Sequence, residues 1–237
     1  MQTIYLLHLE EISIFERLQI EEALVRTSSD CYCVLGKGSS SAIVMGLSGK
    51  EDELVSHLAF EHGIPVIKRF TGGGTVFVDK NTFFSTFIFS KEANKIQPFP
   101  DKIMSWSAHL YKKAFSHPDF SLLENDYVMG EHKCGGNAQY ISKDRWLHHT
   151  SFLWDYKKEN MDYLLFPSKT PKYRKGRAHH NFMCKLCDFF PSIEYISEKI
   201  ENVLNDDYLV KKISLEEVKK NLDVPHRKST VILKKTI

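Results

Sequence analysis

The chain has 237 residues, 42% of them hydrophobic and 26% charged, enough for one well-buried domain and too few for two large ones. Its 32 basic and 30 acidic side chains leave a net charge of +2, which excludes the one-sided positive excess of a general phosphate-backbone binder, so no nucleic-acid partner is expected. No apolar run approaches the ~20 residues that span a bilayer, and five cysteines behind an acidic N-terminus predict reduced thiols, a cytoplasmic setting and no membrane partner.

In chain order, Ile4, Leu6, Leu7 and Leu9 predict an opening strand, and Ile14, Leu18, Ile20 and Leu24 fall at helical spacing over 12–24. Short apolar runs at 31–35 and 42–45 read as strands, and 51–61 as one helix ended by Gly63 and Pro65. Strands follow at 66–69, 75–79 and 84–89, the first two separated by Thr71, Gly72, Gly73 and Gly74. A helix is expected over 103–115, then strands over 127–129, 133–141 and 146–154. Residues 167–180 are polar and prolyl, with a basic tract of Lys169, Lys172, Arg174, Lys175 and Arg177, and read as a mobile loop that serves as a lid. Beyond it Ser192 caps a helix with Ile193, Ile196, Ile200, Val203 and Leu204 on one face. Ser214 with Glu217 forms a capping box for another over 215–222, and the tail from His226 is expected to fray. Helices and strands mix without regular alternation, which makes the fold class α+β.

Three stretches have the residues for chemistry. In 68–79, three bare glycines let anionic oxygens approach several backbone N–H groups, with Arg69 adding charge at one edge. This is no Walker loop, since no Gly-Lys-Ser/Thr follows, and no dinucleotide fingerprint, since a strand comes next; a tight hairpin is the alternative. In 130–139, Lys133 precedes Gly135, Gly136 and Asn137, and an ammonium beside bare backbone suits a phosphate or carboxylate, while a hairpin with a surface lysine is the plainer reading. In 147–155, His148 and His149 lead an alternating strand, where neighbours face opposite ways and do not share one metal ion.

Together and in this order, these stretches resemble the lipoate-protein ligases, whose motifs look like R-R-x-S/T-G-G-G-x-V-F-x-D, then K-I/V-x-G-S/N-A-Q, then H-H-G-T-L-L-x-D. The resemblance implies a biotin/lipoate protein ligase-like domain with a mixed, largely antiparallel central sheet flanked by helices. Residues 1–190 would be its catalytic part, and 191–237 a C-terminal helical extension packed on it. By the same resemblance Arg69, Thr71, Gly72, Gly73, Gly74, Thr75, Val76, Phe77 and Val78 line the pocket for the acyl group and adenylate. Lys133 is then the catalytic cation, and Gly135, Gly136, Asn137 and His149 complete the set, with no resident metal. The implied reaction uses ATP and Mg²⁺ to activate lipoate, or a related medium-chain acid, as an acyl-adenylate. The acyl group then passes to a lysine of a lipoyl-accepting domain of the 2-oxoacid dehydrogenase complexes, or of a glycine-cleavage H-type protein. A fixed cation stabilises the charge that builds when a carboxylate attacks the α-phosphate.

The chain departs from this pattern at Lys68, Val78, Cys134 and Thr150-Ser151, and the full C-terminal accessory domain of many ligases is not expected. Three other readings are weighed. Related octanoyltransferases work through an acyl-cysteine, for which Cys134 beside Lys133 and Cys187 are the candidates. His180, Cys184 and Cys187 have metal-ligand spacing but lack a fourth ligand. The third reading is a catalytically silent binder, against which the intact Arg69, glycine turn and Lys133 speak.

Overall fold

The computed structural model describes residues 1–93, 96–168 and 170–233; Lys169 of the basic tract lies outside them. Ser13 starts α1 (Ile14–Thr27) by accepting the Glu16 amide at 3.1 Å. That helix connects β1 (Gln2–His8) to β2 (Tyr32–Lys37), which pair in parallel with Tyr5 opposite Tyr32. After β3 (Ala42–Met45), the single helix expected over 51–61 is two, α2 (Glu51–Leu54) and α3 (His57–Glu61). The break has a local cause: Ser56 caps the second helix by accepting the Leu58 amide, and Val55 forms a bridge with Leu164 instead of a helical turn.

β4 (Val66–Lys68), β5 (Gly72–Gly73), β6 (Val76–Val78) and β7 (Thr82–Ser90) follow. The expected hairpin across the glycines does not form. β4 pairs with β3 in parallel and β6 pairs with β3 antiparallel, so β3 lies between them. The glycines leave this small sheet and pair with a distant strand, Gly73 opposite Ala138 and Gly72 opposite Gln139. α4 (Pro100–Phe115) precedes β8 (Phe120–Leu123), β9 (Asp126–Met129), β10 (His132–Ile141) and β11 (Arg145–Leu153). α5 (His179–Phe182), α6 (Ile193–Asp207), β12 (Tyr208–Ile213), α7 (Leu215–Asp223) and β13 (Val231–Leu233) complete the chain. The tail therefore does not fray before residue 233: β13 pairs antiparallel with β4.

The large sheet runs β12-β1-β2-β7-β11-β10-β9-β8, with β5 attached to β10. β12 and β2 are parallel to β1, and every pair from β2–β7 onward is antiparallel. Both faces are covered, which explains the near-continuous apolar run in β7. Phe87 and Phe89 join Trp146, Tyr111, Ile196 and Ile200 in the core beneath α4 and α6, while Ile88 and Leu147 turn the other way to meet Leu24 of α1 and Val218 of α7. Residues beyond 190 thus contribute α6 to the main core, and β12 lengthens the sheet at β1. No helix among the described residues is long and apolar enough to cross a membrane.

Candidate active site

Arg69 is buried and frames the glycine segment. Its Nε donates to Thr71 Oγ1 at 2.9 Å, Nη1 to the Val44 carbonyl at 3.2 Å and Nη2 to the Gly74 carbonyl at 2.7 Å. Burial alone brings its pKa down to about 10, so the guanidinium stays charged at neutral pH. Its bonds go to the loop's own backbone and to Thr71, rather than outward from an edge. Gly73 is tightly placed: its φ is +129°, and a Cβ there would lie 2.6 Å from Arg69 Nη2 and 2.8 Å from the Asn137 carbonyl oxygen. Its neighbours are open, since the nearest atom to a Cβ on Gly72 is 3.8 Å away and nothing lies within 4 Å at Gly74. One glycine holds the turn, and the two beside it leave bare backbone facing outward.

Lys133 sits where β10 is irregular. The pairing with β9 slips between Lys133 and Gly135, so Cys134 has no partner across the ladder, and such a bulge re-aims the side chains beside it. Cys134 turns into the core. The Lys133 ammonium lies 2.7 Å from Asp126 Oδ1 and 3.5 Å from the position a Cβ would take on Gly136, with Val76 Cγ1 3.9 Å from that same position. Gly136 therefore keeps open a space bordered by Lys133 from the second motif and Val76 from the first. Gly135 serves packing instead, because a Cβ there would lie 2.7 Å from the Phe152 ring. Asn137 donates through Nδ2 to the Asn125 carbonyl.

Along β6 the side chains alternate. Val76 and Val78 pack towards Val44, Leu18 and Phe84, while Phe77 turns to the other face and stacks on Tyr163 at 5.6 Å. Thr75 Oγ1 is buried without a hydrogen-bond partner. The third motif is next door, because β10 pairs with β11 so that Ala138 faces His149 and Gly136 faces Ser151. His149 Nδ1 donates to Glu21 Oε2 at 2.8 Å, and Glu21 Oε1 accepts the Thr86 hydroxyl at 2.8 Å. Burial opposes ionisation of Glu21, but His149, Arg17 and Thr86 outweigh it and hold the carboxyl below its usual range. His148 faces away into a separate network with Gln139 and Tyr127, and burial together with the charge of His149 pushes its pKa to about 3. The two histidines thus sit on opposite faces.

Glu21, Thr86 and Asp126 carry no local motif and are found only through the fold. The segment read as a mobile lid is docked. Tyr173 donates its hydroxyl to Asp126 Oδ2 at 2.9 Å and its amide to Glu124 Oε1 at 3.1 Å, and Arg177 reaches the Glu131 carbonyl at 3.0 Å. Met183 bridges to Lys133, and the Cys184 amide donates to the Lys133 carbonyl at 2.9 Å. Cys184 Sγ faces the His132 carbonyl and Cys187 Sγ faces Asp188, and among the described residues no group of three His, Cys, Asp or Glu side chains is placed to hold a metal ion.

This mixed α+β fold, with a glycine segment and a lysine strand brought to one place, is the catalytic fold of the lipoate and biotin protein ligases. The structure of Ta0514 from T. acidophilum, described as a lipoate protein ligase with bound lipoic acid, superposes with a TM-score of 0.75 at 16% identity, covering 94% of this chain and 93% of that one. Lipoate-protein ligase A bound with ATP superposes with a TM-score of 0.68 at 16% identity, over 94% and 95%. Residues 13–221 match the family described as Lipoyl protein ligase A/B catalytic domain, and the chain belongs to that family. Among curated relatives, a Plasmodium falciparum protein named inactive lipoate-protein ligase 2 is 28% identical over 78% of this chain. The chain matches 64% of that relative's length, under two thirds.

Proposed function

We propose that this protein activates lipoate, or a related medium-chain acid, with ATP to an acyl-adenylate and transfers the acyl group to a lysine of a lipoyl-accepting domain. The acceptors would be the domains of 2-oxoacid dehydrogenase complexes or a glycine-cleavage H-type protein. The observation that carries this reading is the convergence of the open backbone at Gly72 and Gly74 with Lys133, Val76 and Gly136, from two separate segments. That opening fits a nucleotide phosphate, and ATP enters as a substrate with its own Mg²⁺. Relatives of the fold are described with lipoic acid and with ATP bound.

In this reading Arg69 and Thr71 hold the glycine amides in place before substrate arrives, so no reorganisation is needed as charge develops. Lys133 turns from Asp126 to the acyl carboxylate. A carboxylate oxygen attacks the α-phosphorus, the new O–P bond forms, and the bridging P–O bond breaks with its electron pair leaving on pyrophosphate. In the second step the acceptor amine attacks the acyl carbonyl carbon, Lys133 stabilises the carbonyl oxygen, and AMP leaves with the C–O electron pair while the amine loses a proton.

An acyl-cysteine route finds less support. Burial is the largest influence on all five thiols and pushes each pKa up, to about 11 for Cys184, whereas a nucleophilic cysteine needs a lowered one. Reduced, unpaired cysteines suit a cytoplasmic protein. The test is intact-mass analysis after incubation with lipoate, ATP, Mg²⁺ and a lipoyl-accepting domain. A lipoylated acceptor formed only with ATP supports the proposal, an ATP-independent thioester replaces it with acyl-cysteine transfer, and neither product overturns both.

A further inference from the structure

We propose that Arg174 is a second phosphate-binding cation of this site, taking the pyrophosphate end of the nucleotide while Lys133 takes the reacting end; this rests on the ligase reading above. Arg174 is only 3% exposed. Its guanidinium lies between two rings, 4.2 Å from the Phe166 centroid and 4.9 Å from that of Phe182. Nε donates to the Arg177 carbonyl at 2.8 Å, but Nη2 is buried with no hydrogen-bond partner. The neighbouring carboxylates are taken: Asp126 pairs with Lys133, and Glu131 with Lys175. A buried cation without a counter-charge is costly, and an anion relieves that cost. A guanidinium edge presents two parallel donors that match phosphate oxygens.

The position identifies which anion. Tyr173, one residue earlier, is anchored on Asp126 and Glu124, and Asp126 in turn holds Lys133. Lys133 borders the glycine opening through Gly136, so Arg174 lies beyond Asp126, on the side away from that opening. The His179 ring, whose pKa burial lowers, also feels the positive charges of both Arg174 and Lys133, which places the two cations around one space. A nucleotide with its α-phosphate at Lys133 extends its β- and γ-phosphates towards Arg174. When the α–β bridging bond breaks, the departing pyrophosphate gains charge there, and a fixed cation stabilises it more than the ground state. Phe182 is buried and backs the guanidinium, while Phe166, 53% exposed, covers its outer face. Displacement of Phe166 opens the fork to the anion.

The test compares wild type with Arg174→Met, which keeps a side chain between the two rings without the charge, and Arg174→Lys, which keeps the charge without the fork. Inorganic pyrophosphate, AMP and octanoate, each with Mg²⁺, are the probes in thermal melts, and KM for ATP and for lipoate are read separately. Pyrophosphate should raise the melting temperature of wild type and not of Arg174→Met. KM for ATP should rise about tenfold or more in Arg174→Met while KM for lipoate changes little, with Arg174→Lys between. Failure of pyrophosphate to protect wild type, equal protection of all three proteins, or protection by AMP or octanoate alone that is lost in Arg174→Met overturns the assignment. Should Arg174→Met not fold, Arg174→Lys decides: wild-type KM for ATP and wild-type protection by pyrophosphate overturn it. Pyrophosphate protection that depends on Arg174, in a protein that forms no adenylate, removes the ligase reading and keeps the phosphate site.

Discussion

Asp126 joins Lys133 to Tyr173 through its two oxygens, accepting the ammonium at 2.7 Å on Oδ1 and the phenol at 2.9 Å on Oδ2. The carboxylate is nearly buried, so the lysine is held in one direction before any substrate is present. Lys133→Ala is therefore expected to fold with a loss of about 1–3 kcal/mol, the penalty for an under-satisfied buried carboxylate. Acyl-adenylate formation should fall by about 10²–10³-fold, because the lost charge acts on the transition state. Pyrophosphate exchange and a thermal melt read the two effects, and exchange near the wild-type rate removes Lys133 from the site.

The glycines at 72–74 are not equivalent. Gly73→Val places a side chain 2.6 Å from Arg69 Nη2 at a φ of +129°, so a loss of stability of about 2–4 kcal/mol is expected. Gly74→Val meets nothing within 4 Å in the folded chain and should melt like wild type. It still fills the opening and should abolish binding of a nonhydrolysable acyl-adenylate, measured by calorimetry. Wild-type affinity in Gly74→Val refutes the cradle.

His148 sets a pH dependence that has nothing to do with catalysis. Gln139 donates to Nδ1 at 3.1 Å and Nε2 donates to the Tyr127 hydroxyl at 2.8 Å, which fixes a neutral ring. Its folded pKa of about 3 lies below the 6.5 of the unfolded chain. Between these values the unfolded state binds a proton that the folded state does not, so stability falls as pH drops from 6.5 towards 3. The full change is on the order of 4 kcal/mol. His148→Gln should be less stable at neutral pH and show a flatter urea-unfolding profile across that window; an unchanged slope places the titration elsewhere.

Local signals in the chain were enough for the elements they directly control. Ser13, Ser192 and the Ser214–Glu217 capping box start helices where expected, and the alternation at Phe87, Ile88 and Phe89 marks a strand. Pairing across long separations was not legible. β12 lies beside β1 from the far end of the chain, and β5 joins β10 because Gly72 and Gly73 present bare backbone to Gln139 and Ala138. Glycine punctuation marks where a chain can turn and is silent on which strand it then meets. The same limit hid Glu21 and Asp126, each of which acts on a residue brought near by the sheet: His149, 128 positions away, and Lys133 across a bulge.

The docked segment supplies the last prediction. A basic, prolyl stretch has little apolar surface to hold it, which is why the sequence reads as a mobile lid, yet Tyr173 ties it to Asp126 and Glu124, and the Phe182 ring packs 5.1 Å from that of Tyr173. Tyr173→Phe keeps the ring contact and deletes one hydrogen bond to a carboxylate, about 1–2 kcal/mol of local stability. Because nicking of a folded protein follows the population of the locally open form, trypsin should cut at Lys172, Arg174 or Lys175 about tenfold faster in this variant. The main core, built on other residues, should melt at nearly the wild-type temperature. A nonhydrolysable acyl-adenylate should slow the nicking again, since an anion at Arg174 and Lys133 re-tethers the segment from its other side. Equal nicking of Tyr173→Phe and wild type shows that the segment is held by its other contacts, and that the phenol on Asp126 serves only to orient Lys133.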